Sequence, residues 1–332
     1  MKHGVSRVAL GIDFGGTSVK AGWVDQAGRV LARYRTDTAA LAGIEGWMDF
    51  VAACLSGAGS AGRRAAGIGV GVPGFVDFER GFIYNLTNVP GWTRVPLAGR
   101  MRKRFGLAVC VDNDVNAMAV GECAHGAGRG VRHALFATLG TGVGGALLID
   151  GRLYRGAFSM AGEIGHLSIN RRGRKTPEGR GGLETYVGIG PFTQRAARLL
   201  RRGRPSLLRR LAPPGVPLTP KLIAAAARRG DPLARELFDE FADCLATAFA
   251  SVTYLLQPEL IIVGGGVAQS GRVLFEPLRR RLRERLNPFF ADRIRVAPAQ
   301  LGADAGLIGA ASLVFQSGSR PRALRAGGRA GG

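Results

Sequence analysis

Between residues 5 and 35 the chain alternates short apolar bursts with polar positions, broken at Gly15-Gly16 and again at Ala27-Gly28. That rhythm predicts a meander of strands joined by tight turns. Helical spacing follows over 43–56, and a buried strand over 66–72 ends at Pro73-Gly74. A short strand, 108–111, leads into Asp112-Asn113-Asp114 and then a helix of small residues over 115–126. A second hairpin begins near His133, and from 183 to 257 the pattern turns helical. Thr219-Pro220 and Asp231-Pro232 each set a capping side chain before a proline suited to the first helical position. Residues 201–215 are expected to form a loop between helices. A strand over 260–263, a Gly264-Gly265-Gly266 turn and a helix from 267 follow, then a strand near 293–297 and a helix near 303–315. The Gly/Arg-rich end of the chain is expected to be disordered.

Two segments within this pattern copy each other. LGIDFGGT at 10–17 and ATLGTGVGG at 137–145 both read strand, Gly/Thr turn, strand, with a polar turn after each at Asp25–Gly28 or Asp150-Gly151. Glycine lets the backbone turn tightly and brings its N–H groups close to an anion. Either segment alone is compatible with an ordinary hairpin. Together they suggest a duplicated domain holding a polyphosphate between its halves. The turn at 13–17 is not a Rossmann or Walker loop, because residues 18–24 continue from it as a strand and not a helix.

Composition narrows the class. The chain has 332 residues, 46% hydrophobic, with 52 glycines, which fits two globular α/β domains. No apolar run has membrane-spanning length, and the first strand lies so near residue 1 that no signal peptide is expected. Four cysteines, Cys54, Cys110, Cys123 and Cys244, stand singly, as reduced thiols of a cytoplasmic protein would. The net charge of +22 favours anionic partners. Arginines cluster at 195–210 and 272–285 without interleaved aromatics, so solvated helix faces are expected and a dedicated nucleic-acid surface is not.

Candidate chemistry sits at the strand ends. Asp13 beside the first turn suits Mg²⁺ bound through water. In DNDVN (112–116) carboxylates and amides at a strand–helix junction are ordinary caps, yet a phosphotransferase needs a rigid carboxylate at such a place. Asp114 is the better base, Asn113 a hydroxyl-binding neighbour and Asp112 a cap. Glu163 and His166 in AGEIGH, with Glu184, could line a sugar pocket, although a histidine beside glycine is more often structural. The triple glycine permits close approach of a ligand, or merely a tight turn.

These motifs coincide, in order, with those of one family. The chain resembles the ROK sugar kinases and repressors of the actin/hexokinase/Hsp70 superfamily, from about residue 5 to 314. Residues 139–166 fit the family signature, and VPGFVD, NVPGW, NDVNA and QPELIIVGGGV fall in the expected sequence. The resemblance implies a two-domain actin-like (ribonuclease H-like) α/β fold with an interdomain cleft. It divides as a smaller domain over 1–115 joined by the helix near 302–316, a larger one over 116–301, and a tail over 317–332.

It also implies an ATP- and Mg²⁺-dependent hexose kinase, glucokinase foremost, acting as a homodimer. Asp114 would deprotonate the sugar 6-hydroxyl. Gly74, Asn88, Asn113, Glu163, His166 and Glu184 would surround the hexose. Asp13, Gly15, Gly16, Thr17 and Lys20 would serve the first phosphate loop, Thr141 and Gly142 the second, and Gly265 and Gly266 the adenosine. One departure stands out. The three cysteines that bind Zn²⁺ with the GEIGH histidine in relatives are Lys175, Pro177 and Gly182 here, so no zinc is expected and a more mobile 171–182 loop is. A polyphosphate-dependent glucokinase, or a kinase for N-acetylhexosamines, fructose or a cyclitol, is the alternative. A repressor is disfavoured, since too few residues precede the first strand for a helix-turn-helix.

Overall fold

The computed structural model describes residues 7–57, 65–86 and 89–317. Strands β1 (Val8–Phe14), β2 (Ser18–Asp25) and β3 (Val30–Asp37) form the expected meander. β1 is buried along nearly all its length, whereas β3, at the sheet edge, alternates half-buried and exposed positions. Helix α1 (Gly43–Ser56) buries Trp47, Met48, Val51 and Cys54, and β4 (Ala65–Val72) then pairs parallel to β1. A small sheet of β5 (Gly74–Asp77), β6 (Phe82–Leu86) and β7 (Thr93–Val95) precedes α2 (Leu97–Phe105). Strand β8 (Val109–Asn113) joins β4 in parallel and gives way directly to α3 (Asp114–His125).

The pattern then repeats. β9 (Ala134–Leu139), β10 (Val143–Ile149) and β11 (Arg152–Tyr154) form a second meander. A short hairpin, β12 (Lys175–Thr176) and β13 (Gly179–Arg180), leads to helices α4 (Glu184–Val187), α5 (Ile189–Arg201), α6 (Leu208–Leu211), α7 (Pro220–Arg228) and α8 (Pro232–Leu256). β14 (Leu260–Gly264) pairs parallel to β9; after α9 (Arg272–Arg285) and α10 (Pro288–Ala291), β15 (Arg295–Pro298) pairs parallel to β14. Helix α11 (Ala305–Ser317) ends the described chain. The two large sheets have orders β3-β2-β1-β4-β8 and β11-β10-β9-β14-β15. Three antiparallel strands followed by two parallel ones, twice over, is the duplication the paired hairpins announced.

The chain divides into two compact units, one of residues up to Ala117 with those from Gly306, the other Met118–Ala305. In the first, α11 seats on strand glycines. A Cβ on Gly11 would stand 2.0 Å from the Leu307 carbonyl oxygen and one on Gly69 1.8 Å from that of Ala310, so only glycine fits. Its core includes Phe14 packed 5.7 Å from Trp47 and 4.8 Å from Trp92, measured between ring centroids. In the second unit α8 is the central helix, with Phe238 and Phe241 edge-on to Phe192.

The caps are as expected. Thr219 Oγ1 accepts from Leu222 N at 3.2 Å, and Asp231 Oδ1 from Ala234 N at 2.7 Å. Two segments differ from expectation. The loop over 201–215 contains α6, because Leu208 is buried and the Ser206 hydroxyl accepts from its N–H. The helix expected from 267 is a 3-10 turn, Val267–Ser270, which Gly271 at φ +65° separates from α9. The arginine clusters are not simply solvated. Arg195 forks onto Glu240 at 2.9 and 2.8 Å, Arg204 reaches Glu236 at 2.6 Å, Arg285 reaches Asp243 at 2.6 Å, and Arg280 and Arg281 both bind Asp239. All four acids lie on α8. Of the tail expected over 317–332, Ser317 is instead the last residue of α11, and 318–332 lie outside the described residues.

Candidate active site

In the first unit the candidates gather at the C-terminal ends of the parallel strands, where ligands of open α/β sheets bind. Asp13, Gly71 and Asp112 are register neighbours across β1, β4 and β8. The Gly15-Gly16-Thr17 turn is closed by Gly15 N donating to Ser18 O at 3.0 Å. Thr38 braces it from outside: its hydroxyl donates to Gly15 O at 2.7 Å and its N–H to Thr17 O at 2.9 Å. Gly16 and Thr17 remain exposed. Asp13 lies 3.8 Å from Lys20, its cross-strand neighbour. Burial pushes the Asp13 carboxyl up from its ordinary value, and Lys20 opposes that shift.

Asp114 is the first residue of α3, one step past the end of β8. A Cβ on Gly71 would come within 3.3 Å of the Asp114 Cα, so a side-chain-free β4 lets the helix start close in. Asn113 holds this junction. Its Oδ1 accepts from Val115 N at 2.9 Å and Asn116 N at 3.3 Å, and its Nδ2 donates to Gly74 O at 3.2 Å. One amide hydrogen is left for a ligand. Asp112 is buried and accepts from Asn116 Nδ2 at 2.9 Å, bracing the same turn. Gly74, at φ +133°, could not carry a Cβ, which would fall 2.2 Å from Asn85 O. The candidate Asn88 lies outside the described residues.

In the second unit the Gly140-Thr141-Gly142 turn joins β9 to β10. Glu184 fixes it: Oε2 accepts from Val143 N at 2.8 Å, and a Cβ on Gly142 would meet that oxygen at 2.2 Å. Gly265, at φ +85°, packs so tightly on Leu139 that a Cβ would sit 2.4 Å from its carbonyl oxygen. The triple-glycine loop and the Thr141-Gly142 turn are therefore adjacent. Gly266 has open space around its Cα. Glu163 and His166 face each other at 3.9 Å. Partial burial raises the Glu163 carboxyl, His166 pulls it down and Glu184 pushes it up again.

His166, Thr176, Glu178 and Glu184 line one small cavity. Thr176 and Glu178, like Thr38, were missed in the sequence. No local pattern marks them, since only tertiary folding brings their segments to the site.

The residues do not fit a zinc site. Lys175, Pro177 and Gly182 offer no thiolate, and among the described residues no group of three or more His, Cys, Asp or Glu could hold a metal ion. Burial, aided by Glu122, pushes the Cys123 thiol up to about 12, which disfavours its thiolate. Backbone pairing closes the segment: Ile169 N donates to Gly181 O at 2.9 Å, Gly173 N to Asn170 O at 2.9 Å and Gly181 N to Arg174 O at 2.8 Å.

Among the described residues no helix is long and apolar enough to cross a membrane. The chain is 34% identical to a glucokinase of Thermotoga maritima over 306 residues, 92% of this chain and 96% of that one. It superimposes on the crystal structure of a ROK family glucokinase from Streptomyces griseus in complex with glucose and AMPPNP with TM-score 0.77 and 35% identity, covering 93% and 99% of the two chains. A ROK hexokinase from Thermus thermophilus gives TM-score 0.79 and 29% identity over 93% and 98%. The sequence profile of the ROK family matches residues 9–317. The chain belongs to the ROK family and has the two-domain actin-like ATPase fold of its sugar kinases.

Proposed function

We propose that this protein is a cytoplasmic, homodimeric hexose kinase that transfers the γ-phosphoryl group of MgATP to the 6-hydroxyl of glucose. Asp114 accepts the hydroxyl proton as O6 bonds to the γ-phosphorus and ADP leaves with the electrons of the broken P–O bond. Asn113, Gly74, Asn88, Glu163, His166 and Glu184 orient the sugar. Gly15 shapes the first phosphate turn, Gly16 and Thr17 offer N–H groups and Lys20 charge to the phosphates, and Thr141 with Gly142 forms the second phosphate turn. Gly265 and Gly266 admit the adenosine. Asp13 would hold the nucleotide's Mg²⁺ through water, and the ion would offset the charge of the phosphates.

The placement of Asp114 carries this reading. A carboxylate at the head of a helix, with its preceding residue hydrogen-bonded on both sides, is rigid enough to meet a hydroxyl in one geometry. Asp114→Asn should fold and bind nucleotide as the parent does while losing about two orders of magnitude or more in turnover. Substantial turnover of Asp114→Asn at saturating sugar would remove that residue from the role.

A further inference from the structure

Glu122 is completely buried, yet the sugar and nucleotide sites make no use of it. Both carboxyl oxygens accept from backbone N–H groups. Oε1 takes Gln300 N at 2.9 Å and Leu301 N at 2.8 Å, and Oε2 takes Ala127 N at 2.9 Å and Gln300 N at 3.1 Å. Its main-chain oxygen accepts from Gly126 N at 2.9 Å and Gly128 N at 3.0 Å. Gly126 makes room for the carboxylate, since a Cβ there would stand 2.1 Å from Oε2. Burying a carboxyl group is costly, and packing alone would have been served by an apolar residue.

The place of these contacts in the chain gives them meaning. The chain passes between its two units twice, at Ala117–Met118 inside α3 and at Ala305–Gly306 where α11 begins. Glu122 lies just beyond the first crossing, and Gln300-Leu301 lie just before the second. One carboxylate thus ties the outgoing connection to the returning one. Past the crossings, the first connection carries Asp114 and the second abuts Asp13, because a Cβ on Gly306 would meet the Asp13 carboxyl carbon at 2.5 Å.

We propose that Glu122 is a positioning residue for phosphoryl transfer, a clasp that locks the two connections together and so fixes the helix starts bearing on Asp114 and Asp13. The catalytic part of this rests on the kinase reading above; the clasp itself does not. An amide cannot replace the carboxylate, because one of its two ends is a donor and would face backbone N–H groups.

The test pairs Glu122→Gln with Gly126→Ala, which crowds the carboxylate without removing its charge. Each is measured by amide hydrogen exchange and, with MgATP and glucose, by single-turnover transfer and equilibrium binding. Both variants should keep glucose and nucleotide affinities within about threefold and lose roughly 10- to 100-fold in transfer, as misplacement of a reacting group does. Exchange should quicken at 300–301 and also across the crossings, at 114–117 and 306–309. Quickening confined to 120–128 and 298–302, with transfer unchanged or with only a lower melting temperature, would overturn the proposal. If the parent phosphorylates no sugar, the kinase reading fails, while exchange across the crossings still decides the clasp.

Discussion

At Glu163 the balance of burial, His166 and Glu184 leaves a carboxyl that ionises at higher pH than an ordinary glutamate. A hydroxyl-binding carboxylate must be ionised to accept. Sugar KM should therefore rise as pH falls through that raised value, on a limb lying above the usual carboxylate range. Glu163→Gln should remove the limb and raise KM roughly tenfold at neutral pH, the worth of a hydrogen bond to a charged group. An unchanged pH profile in the variant would take Glu163 out of the pocket. Asp13 is also raised, and its linkage has a defined sign. The native state holds its proton more tightly than the unfolded chain, so the stability it contributes is complete below the ordinary carboxylate range and is lost as pH rises through the raised value. Asp13→Asn should accordingly melt no lower than the parent at neutral pH, while weakening MgATP use about 10- to 100-fold through the lost water-mediated contact. A variant with lower Tm and unaltered ATP kinetics would reverse that assignment.

Among the elements, the segment that replaces the zinc loop is the most informative. Its closure rests on backbone hydrogen bonds of Ile169 and Arg174 with Gly181 and on the pairing of 175–176 with 179–180, and Lys175, Pro177 and Gly182 offer no thiolate to zinc. Metal analysis of the purified protein should find no stoichiometric zinc, and chelators should not inhibit once Mg²⁺ is in excess; about one Zn²⁺ per chain would contradict this. The meanders, the capped helices and the strand-end position of Asp114 were legible because period, turn residues and caps act locally. Asp231 and Thr219 announced α8 and α7 through the side chains that cap them. Helix α6 was hidden among arginines and prolines, since its formation depends on burying Leu208 against the rest of the unit. Thr38, Thr176 and Glu178 were equally hidden, because each reaches its site from a segment with no pattern of its own.

For the whole molecule the charge of +22 asks whether a long polyanion is a partner. The structure turns the arginines of 195–210 and 272–285 partly inward onto Glu236, Asp239, Glu240 and Asp243 of α8. Those pairs engage five of the thirteen arginines in the two clusters, Arg195, Arg204, Arg280, Arg281 and Arg285, so only part of each cluster is held in structural ion pairs and withdrawn from a track along which polyphosphate would run. Turnover with ATP should then vary little with salt near physiological ionic strength, where screening acts beyond about 8 Å. Both the duplicated sheets and the glycine loop at 264–266 favour a nucleotide donor, for a polyphosphate needs no adenosine seat. The direct measurement is ³¹P NMR of the purified protein with glucose and an equimolar phosphoryl supply from MgATP and inorganic polyphosphate. Glucose 6-phosphate and ADP should form in equal amounts while polyphosphate is spared. Polyphosphate consumed ahead of ATP, or phosphate appearing without any sugar phosphate, would contradict this.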